Sequence, residues 1–288
     1  MTVVPNTNEN ETKSGEGHQA LRDSREAVSR IWALCARSAS NARSTVQIVR
    51  NRRKHRPAIY PLLDWKTPLC FCLSLIAISA LLLDAPLASF RGHWSLALFG
   101  PAEYMTEIGW GGWYIIPWSI VLLVVNLRDW RGHSGRRLLI LYNWTCMAFF
   151  TLIATGLSGL IVNIAKRSIG RARPQLFPDM GAFSFNPFAI DPYYASFPSG
   201  HAATIGSVGG ILVLFFPAAR HVIIPLAIWI AATRAIVGAH YPSDIVAGLA
   251  FGFTATVLTA IVFARLGYIF RQEPFGLPNV KRTFRIFW

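Results

Sequence analysis

Two histidines, one aspartate and a few cations are the residues of this chain whose types and spacing could do chemistry. They fall in three short segments: Lys166-Arg-Ser-Ile-Gly-Arg-Ala-Arg173-Pro174, Pro198-Ser-Gly-His201, and Arg234-Ala-Ile-Val-Gly-Ala-His240-Tyr-Pro-Ser-Asp244. Lys166, Arg173 and Arg234 are fixed cations. An ammonium supplies point charge and a guanidinium supplies forked hydrogen bonds, the combination that suits a phosphoryl group. Ser199 and Gly200 precede an apolar run; a helix start there would aim backbone N–H groups at an anion, and glycine lets it approach. His201 and His240 titrate near neutral pH, and each can offer a ring nitrogen. Asp244 lies four residues after His240, beyond Pro242, and proline is favoured in the first turn of a helix. A carboxylate in that turn is well placed. It can take one ring N–H of His240 and leave the other nitrogen free to attack. The pattern is nucleophile, orienting carboxylate and separate acid.

The elements that must carry these segments are apolar. Of the 288 residues, 53% are hydrophobic and 15% charged, against about 25% charged in a soluble domain. Six apolar stretches are expected to be helices, at about 67–84, 111–127, 138–164, 202–217, 221–239 and 244–264. A span needs about 20 residues, so the second and fourth are short and the third is long enough to tilt. The expected fold class is all-α: a polytopic membrane protein with a six-transmembrane-helix bundle. With the N-terminus inside, 22 of 28 Lys and Arg fall on the cytoplasmic side, as the positive-inside rule requires. The outside cations are Arg91, Lys166, Arg167, Arg171, Arg173 and Arg234. Five of these six flank the third and fifth stretches, where retention in the cytoplasm cannot explain them. Six alternating spans bring all three chemical segments to that one non-cytoplasmic face.

Residues 1–56 form a separate zone, followed by a six-span domain at 57–266 and a cytoplasmic tail at 267–288. Residues 1–18 are polar and read as disordered. Residues 19–38 read as a basic amphipathic helix, and the cluster Arg50, Arg52, Arg53, Lys54, His55, Arg56 follows. The plain reading is positive-inside charge; the sharper one is an anchor to anionic lipid. The net charge of +14 therefore points to the membrane rather than to nucleic acid. The four cysteines show neither a disulfide framework nor a zinc spacing. Residues 175–197 carry seven aromatic side chains and read as an outside loop resting on the membrane, or as a wall that selects substrate. Asn163 and Thr155 read as helix–helix contacts. Arg167 and Arg171 read as secondary aids to phosphate binding or as headgroup contacts.

Together the three segments resemble the type 2 phosphatidic acid phosphatase family, which is related in its core to vanadium-dependent haloperoxidases. The family signature is Lys-x6-Arg-Pro, Pro-Ser-Gly-His and Ser-Arg-x5-His-x3-Asp. The first two are matched in full. In the third, Thr233 stands for the usual Ser and keeps the hydroxyl. The resemblance spans residues 110–265. It implies that His240 attacks phosphorus to form a phosphohistidine, that Asp244 orients it, and that His201 protonates the leaving oxygen and then activates water. Lys166, Arg173, Ser199, Gly200 and Arg234 would hold the phosphoryl oxygens. It implies no metal and no cofactor, and a substrate that is a phosphomonoester or pyrophosphate on a membrane lipid. Candidates are lipid A, an isoprenyl pyrophosphate carrier, phosphatidic acid and phosphatidylglycerophosphate. A bacterial inner membrane is the expected location. A phosphoryl transferase, a haloperoxidase and a non-catalytic lipid-binding or transport protein are the alternatives on the same scaffold. The six spans count against the haloperoxidase, and the intact histidine pair counts against the inactive form.

Overall fold

A computed structural model describes residues 8–54 and 64–284, apart from 92, 131, 132, 134, 272, 274, 275 and 283. The order is α1 (Asn8–Lys54), α2 (Lys66–Leu82), α3 (Asp84–Ser89), α4 (Leu96–Thr106), α5 (Gly112–Leu127), α6 (Arg136–Ile169), α7 (Phe177–Met180), α8 (Gly200–Phe215), α9 (Arg220–Ile236) and α10 (Pro242–Leu266). A two-stranded antiparallel hairpin, β1 (Phe270–Arg271) and β2 (Asn279–Val280), closes the described chain. The protein is thus mostly helical. The stretches Leu96–Leu127, Arg136–Ile169, Pro217–Ile236 and Pro242–Leu266 are long and apolar enough to cross a membrane. The apolar helices α2 and α8 are shorter, at 17 and 16 residues. Side chains such as Leu73 and Leu82 on α2, Ile116 and Leu123 on α5, and Leu226 and Trp229 on α9 are exposed. So much apolar surface needs a covering, and lipid supplies it.

The short helix α8 sits at the centre. Ala202, Ala203, Thr204, Ile205, Gly206 and Ser207 are all buried, so protein rather than lipid surrounds it. Glycine makes the contact with α10 possible. A Cβ on Gly252 would stand 1.9 Å from the Ala203 carbonyl oxygen, and one on Gly248 2.4 Å from that of Ser199. This Gly-x3-Gly step brings the two backbones together as small residues do between membrane helices. Ser207 Oγ donates to the Gly252 carbonyl at 3.1 Å and lies 2.8 Å from Ser158 Oγ of α6. Ser158, rather than Asn163 or Thr155, makes the side-chain hydrogen bond between α6 and α8. Those two bond their own helix, at the carbonyls of Gly159 and Thr151.

The N-terminal zone departs from the sequence expectation. Residues 1–18 were expected to be disordered; residues 1–7 lie outside the described residues, and α1 begins at Asn8 and extends the helix expected over 19–38 in both directions. No proline interrupts residues 6–56, so nothing in the sequence breaks the helix. The Asn41 amide donates to the carbonyls of Asn126 and Arg128, at 2.7 and 2.8 Å, docking α1 at the end of α5. His55 and Arg56 of the basic cluster lie outside the described residues. The segment after α10 folds back as the hairpin. Ile269, Phe270, Val280 and Phe284 join Tyr142, Cys146 and Phe150 of α6 in one aromatic core. Phe150 and Phe270 meet edge to face with centroids 4.8 Å apart.

Candidate active site

The C-termini of α6 and α9 and the N-termini of α8 and α10 converge at one end of the bundle, opposite the aromatic core. Helix α6 stops because Gly170 takes a left-handed conformation (φ +64°), and its amide returns to the Lys166 carbonyl at 3.0 Å. A Cβ there would also strike the Asn186 carbonyl oxygen at 1.9 Å. The extended chain that follows is stitched to the 184–196 loop: Ala172 N to Ser184 O at 2.9 Å, Arg173 N to Tyr193 O at 2.8 Å, and Ser196 N to Arg171 O at 3.1 Å. That loop, expected as an outside segment, therefore fixes both Arg171 and Arg173. Its Phe185, Phe188 and Tyr193 are exposed.

Ser199 caps α8. Its hydroxyl accepts from the Ala202 amide at 3.4 Å, and its own amide donates to the Asp244 carbonyl at 3.0 Å. The Ser199 oxygen thus serves the helix as an acceptor, and its O–H is still a donor. Asp244 caps α10 from within the first turn, accepting the Tyr241 amide at 3.0 Å. The same oxygen accepts the Ser196 hydroxyl at 2.5 Å and lies 3.6 Å from His240 Nδ1. That last distance is an electrostatic contact rather than a hydrogen bond. Thr233 donates to the Ile230 carbonyl, so its hydroxyl is used within α9.

The sequence-derived residues do come together. His201 is within electrostatic reach of Arg234, His240, Lys166 and Arg173. Arg234 Nη1 donates to Thr106 Oγ1 at 3.0 Å, and Gly109 packs against the His201 side chain, so the end of α4 and the turn after it form one wall. Among the described residues, two buried guanidinium nitrogens of this cluster, Arg173 Nε and Arg234 Nε, have no hydrogen-bond partner, and His240 Nδ1 has only its 3.6 Å contact with Asp244. Burial holds the Arg173 guanidinium below its ordinary value, with Asp244 and Tyr193 partly offsetting. Burial also lowers His240, against the pull of the Asp244 carboxylate, and Arg234 and Arg173 add to the lowering. The imidazole is therefore neutral near pH 7, the form a nucleophile needs.

Arg171 behaves differently from the expectation of a phosphate or headgroup contact. It is 3% exposed and points into the protein. It bonds Asp244 Oδ1 at 2.6 Å, Asp84 Oδ2 at 2.7 Å, Ser243 Oγ at 2.7 Å and the Ala182 carbonyl at 2.9 and 3.1 Å. Its carbon stands 4.3 Å from the centre of the Tyr241 ring and 5.7 Å from that of Phe183. Burial pulls its pKa down, but Asp244 and Asp84 together leave it above its ordinary value. Sequence reasoning missed Asp84, Ser196 and Ser243. A signal existed for Asp84: a carboxylate at the end of Leu81-Leu-Leu-Asp84 is an ionisable group on an apolar run, which is costly without a partner.

An apolar helical bundle with this cluster at one end has the form of an integral membrane phosphatase. The chain belongs to the PAP2 superfamily, whose model matches residues 145–268. It is 41% identical over 246 residues to the lipid A 1-phosphatase of Rhizobium johnstonii, covering 82% of this chain and 96% of that one. It is 40% identical over 233 residues to the lipid A 1-phosphatase of Rhizobium etli, covering 78% and 96%. A solved PAP2-type phosphatidylglycerolphosphate phosphatase from Bacillus subtilis matches with a TM-score of 0.47 at 19% identity, over 68% of this chain and 94% of that one. The protein is a membrane lipid phosphatase.

Proposed function

We propose that the chain removes the 1-phosphate of lipid A by a two-step displacement at His240. The observation that carries this reading is the burial, at one end of the bundle, of Arg173 and Arg234 nitrogens that have no partner among the described residues. Buried polar groups without partners are rare and costly, and an anionic ligand would supply the acceptors. Relatives spanning most of the chain carry the lipid A activity in their names. In the first step His240 forms an N–P bond, the P–O bond to the lipid breaks, and His201 gives its proton to the leaving oxygen. In the second, His201 takes a proton from water, the resulting hydroxide attacks phosphorus, and inorganic phosphate leaves His240. Asp244 compensates the positive charge that grows on the ring. Lys166, Arg173, Arg234 and the Gly200 amide hold the phosphoryl oxygens.

The bundle has six spans, its site faces the periplasm of a bacterial inner membrane, and both termini are cytoplasmic. The charge count supports this, as does the docking of α1 and the hairpin at the end away from the site. Exposed Val28, Ile31 and Trp32 beside Arg25, Arg30 and Arg37 support contact of α1 with anionic lipid. The test is a panel of lipid A, isoprenyl pyrophosphate, phosphatidic acid and phosphatidylglycerophosphate offered to detergent-purified protein. Phosphate release from lipid A above the others, without added divalent metal and stopped by vanadate, is the expected result. A stronger turnover of another lipid would reassign the substrate. A reporter fused after residue 190 that reads cytoplasmic would reverse the topology.

A further inference from the structure

Asp84 lies outside the matched region, 159 residues before Ser243 and 87 before Arg171, yet it is completely buried against both. Its Oδ1 accepts the Ser243 amide at 3.0 Å, and its Oδ2 accepts the Ser243 hydroxyl at 2.5 Å and Arg171 Nη2 at 2.7 Å. Arg171 spends all five of its N–H donors on protein: two on the Ala182 carbonyl and one each on Asp84, Ser243 and Asp244. Two carboxylates therefore share one guanidinium. A lone Asp244–Arg171 pair would cancel, and a cation held that close competes with His240 for the same carboxylate. With Asp84 taking half of the guanidinium, one net negative charge remains in the cluster. Asp244 Oδ2, the oxygen turned to His240, keeps its share of it.

We infer that Asp84 is a positioning residue of the active site, acting through Arg171 to keep the Asp244 carboxylate oriented and charged toward His240. This rests on the role given to His240 above. The groups around His240 are Asp244 on α10, Arg234 on α9, His201 on α8 and Arg173 in the chain after α6. Asp84 touches none of the reacting atoms.

Asp84→Asn keeps the shape and removes the charge, and Ser243→Ala removes the hydroxyl that bridges Asp84 and Arg171. Both are measured with lipid A in detergent, alongside an NMR titration of His240 in ring-labelled protein, assigned with His240→Ala. For Asp84→Asn, kcat is expected to fall roughly 10- to 100-fold, the range a misplaced catalytic group produces. KM should stay within about threefold, because ground-state binding is untouched. Less negative charge disfavours imidazolium, so the acid limb of kcat and the His240 titration should both move to lower pH. Ser243→Ala should move the same quantities in the same direction by less. Variants that keep kcat and the His240 titration, or that lose activity only in proportion to folded protein with the titration unmoved, would overturn the inference. If Asp84→Asn does not fold, Ser243→Ala decides by the same criteria. If the wild type releases no phosphate from lipid A, the substrate reading falls, while the His240 titration still decides the role of Asp84.

Discussion

Arg171 and Arg173 are two residues apart, in one extended segment, and they live opposite lives. Arg171 has every donor paired and the Tyr241 and Phe183 rings beside it; Arg173 keeps a buried Nε with no partner among the described residues. The same division runs through the whole site. Behind His240, Asp84, Ser196, Ser243 and Asp244 satisfy one another. In front of it, Arg173 and Arg234 hold buried nitrogens with no partner among the described residues. A saturated network resists rearrangement, whereas an unsaturated one is ready for a ligand and costs stability until it has one. The back wall fixes geometry and the front receives charge.

The largest effect should come from the front. His240→Ala is expected to lower kcat/KM roughly 10⁴-fold or more, the scale set by removing a nucleophile, with expression and melting close to wild type. Full activity in that variant would end the displacement mechanism. Next come Arg173→Ala and Arg234→Ala, each expected to cost about 10²- to 10³-fold in kcat, as the loss of one transition-state donor does. Neither should lower the melting temperature, because each removes a charge held away from water without a full set of partners. A large loss of stability in either would show that the front is structural as well.

The back wall predicts the reverse. Arg171→Met would leave two buried carboxylates without their cation, and breaking such a pair costs about 3–5 kcal/mol. A thermal melt should show the loss directly. Arg171→Lys keeps the charge but cannot fork to Asp84, Ser243 and Asp244 together, so its melting temperature should fall between the two. If Arg171→Met melts like wild type, the division between holding and receiving fails.

The receiving half was legible in the sequence, and of the holding half only Asp244 was. Lys166, Arg173, His201, Arg234, His240 and Asp244 stand in short segments with fixed internal spacing, so each announces its neighbours. Asp84 reaches Arg171 only through the fold, and no local spacing links positions that far apart. Thr233 shows the opposite limit: its type fits an anion site, but its hydroxyl donates within α9. The helices were legible because apolar runs report span length. The C-terminal hairpin was not, because Phe270, Val280 and Phe284 bury against α6 without any periodic pattern of their own.

A smaller effect concerns pH. Burial keeps His240 below the ordinary histidine value of about 6.5. A nucleophile is lost on protonation, so the acid limb of kcat/KM that belongs to His240 should lie below pH ~6.5. In Arg173→Ala one neighbouring cation is gone, imidazolium is less opposed, and the limb should rise. A wild-type limb above the ordinary value would mean that Asp244 outweighs burial.

The smallest effect is expected at Arg167, and it sharpens the comparison because Arg167 shares the motif segment with Arg171 and Arg173. Its side chain is exposed, and its place in the site is made by its backbone, whose carbonyl accepts the Phe188 amide at 2.8 Å. Truncation to Ala keeps that bond. Its charge reaches Lys166 only through a partly solvated path, where screening is strong. Arg167→Ala should therefore leave kcat/KM within about twofold and stability within about 0.5 kcal/mol, the ordinary range for a surface change. Three arginines within seven residues would then give three graded answers: chemistry lost without stability at Arg173, stability lost first at Arg171, and neither at Arg167. A tenfold loss at Arg167 would mean that the receiving surface extends past the buried nitrogens to the exposed rim, where a headgroup would meet it.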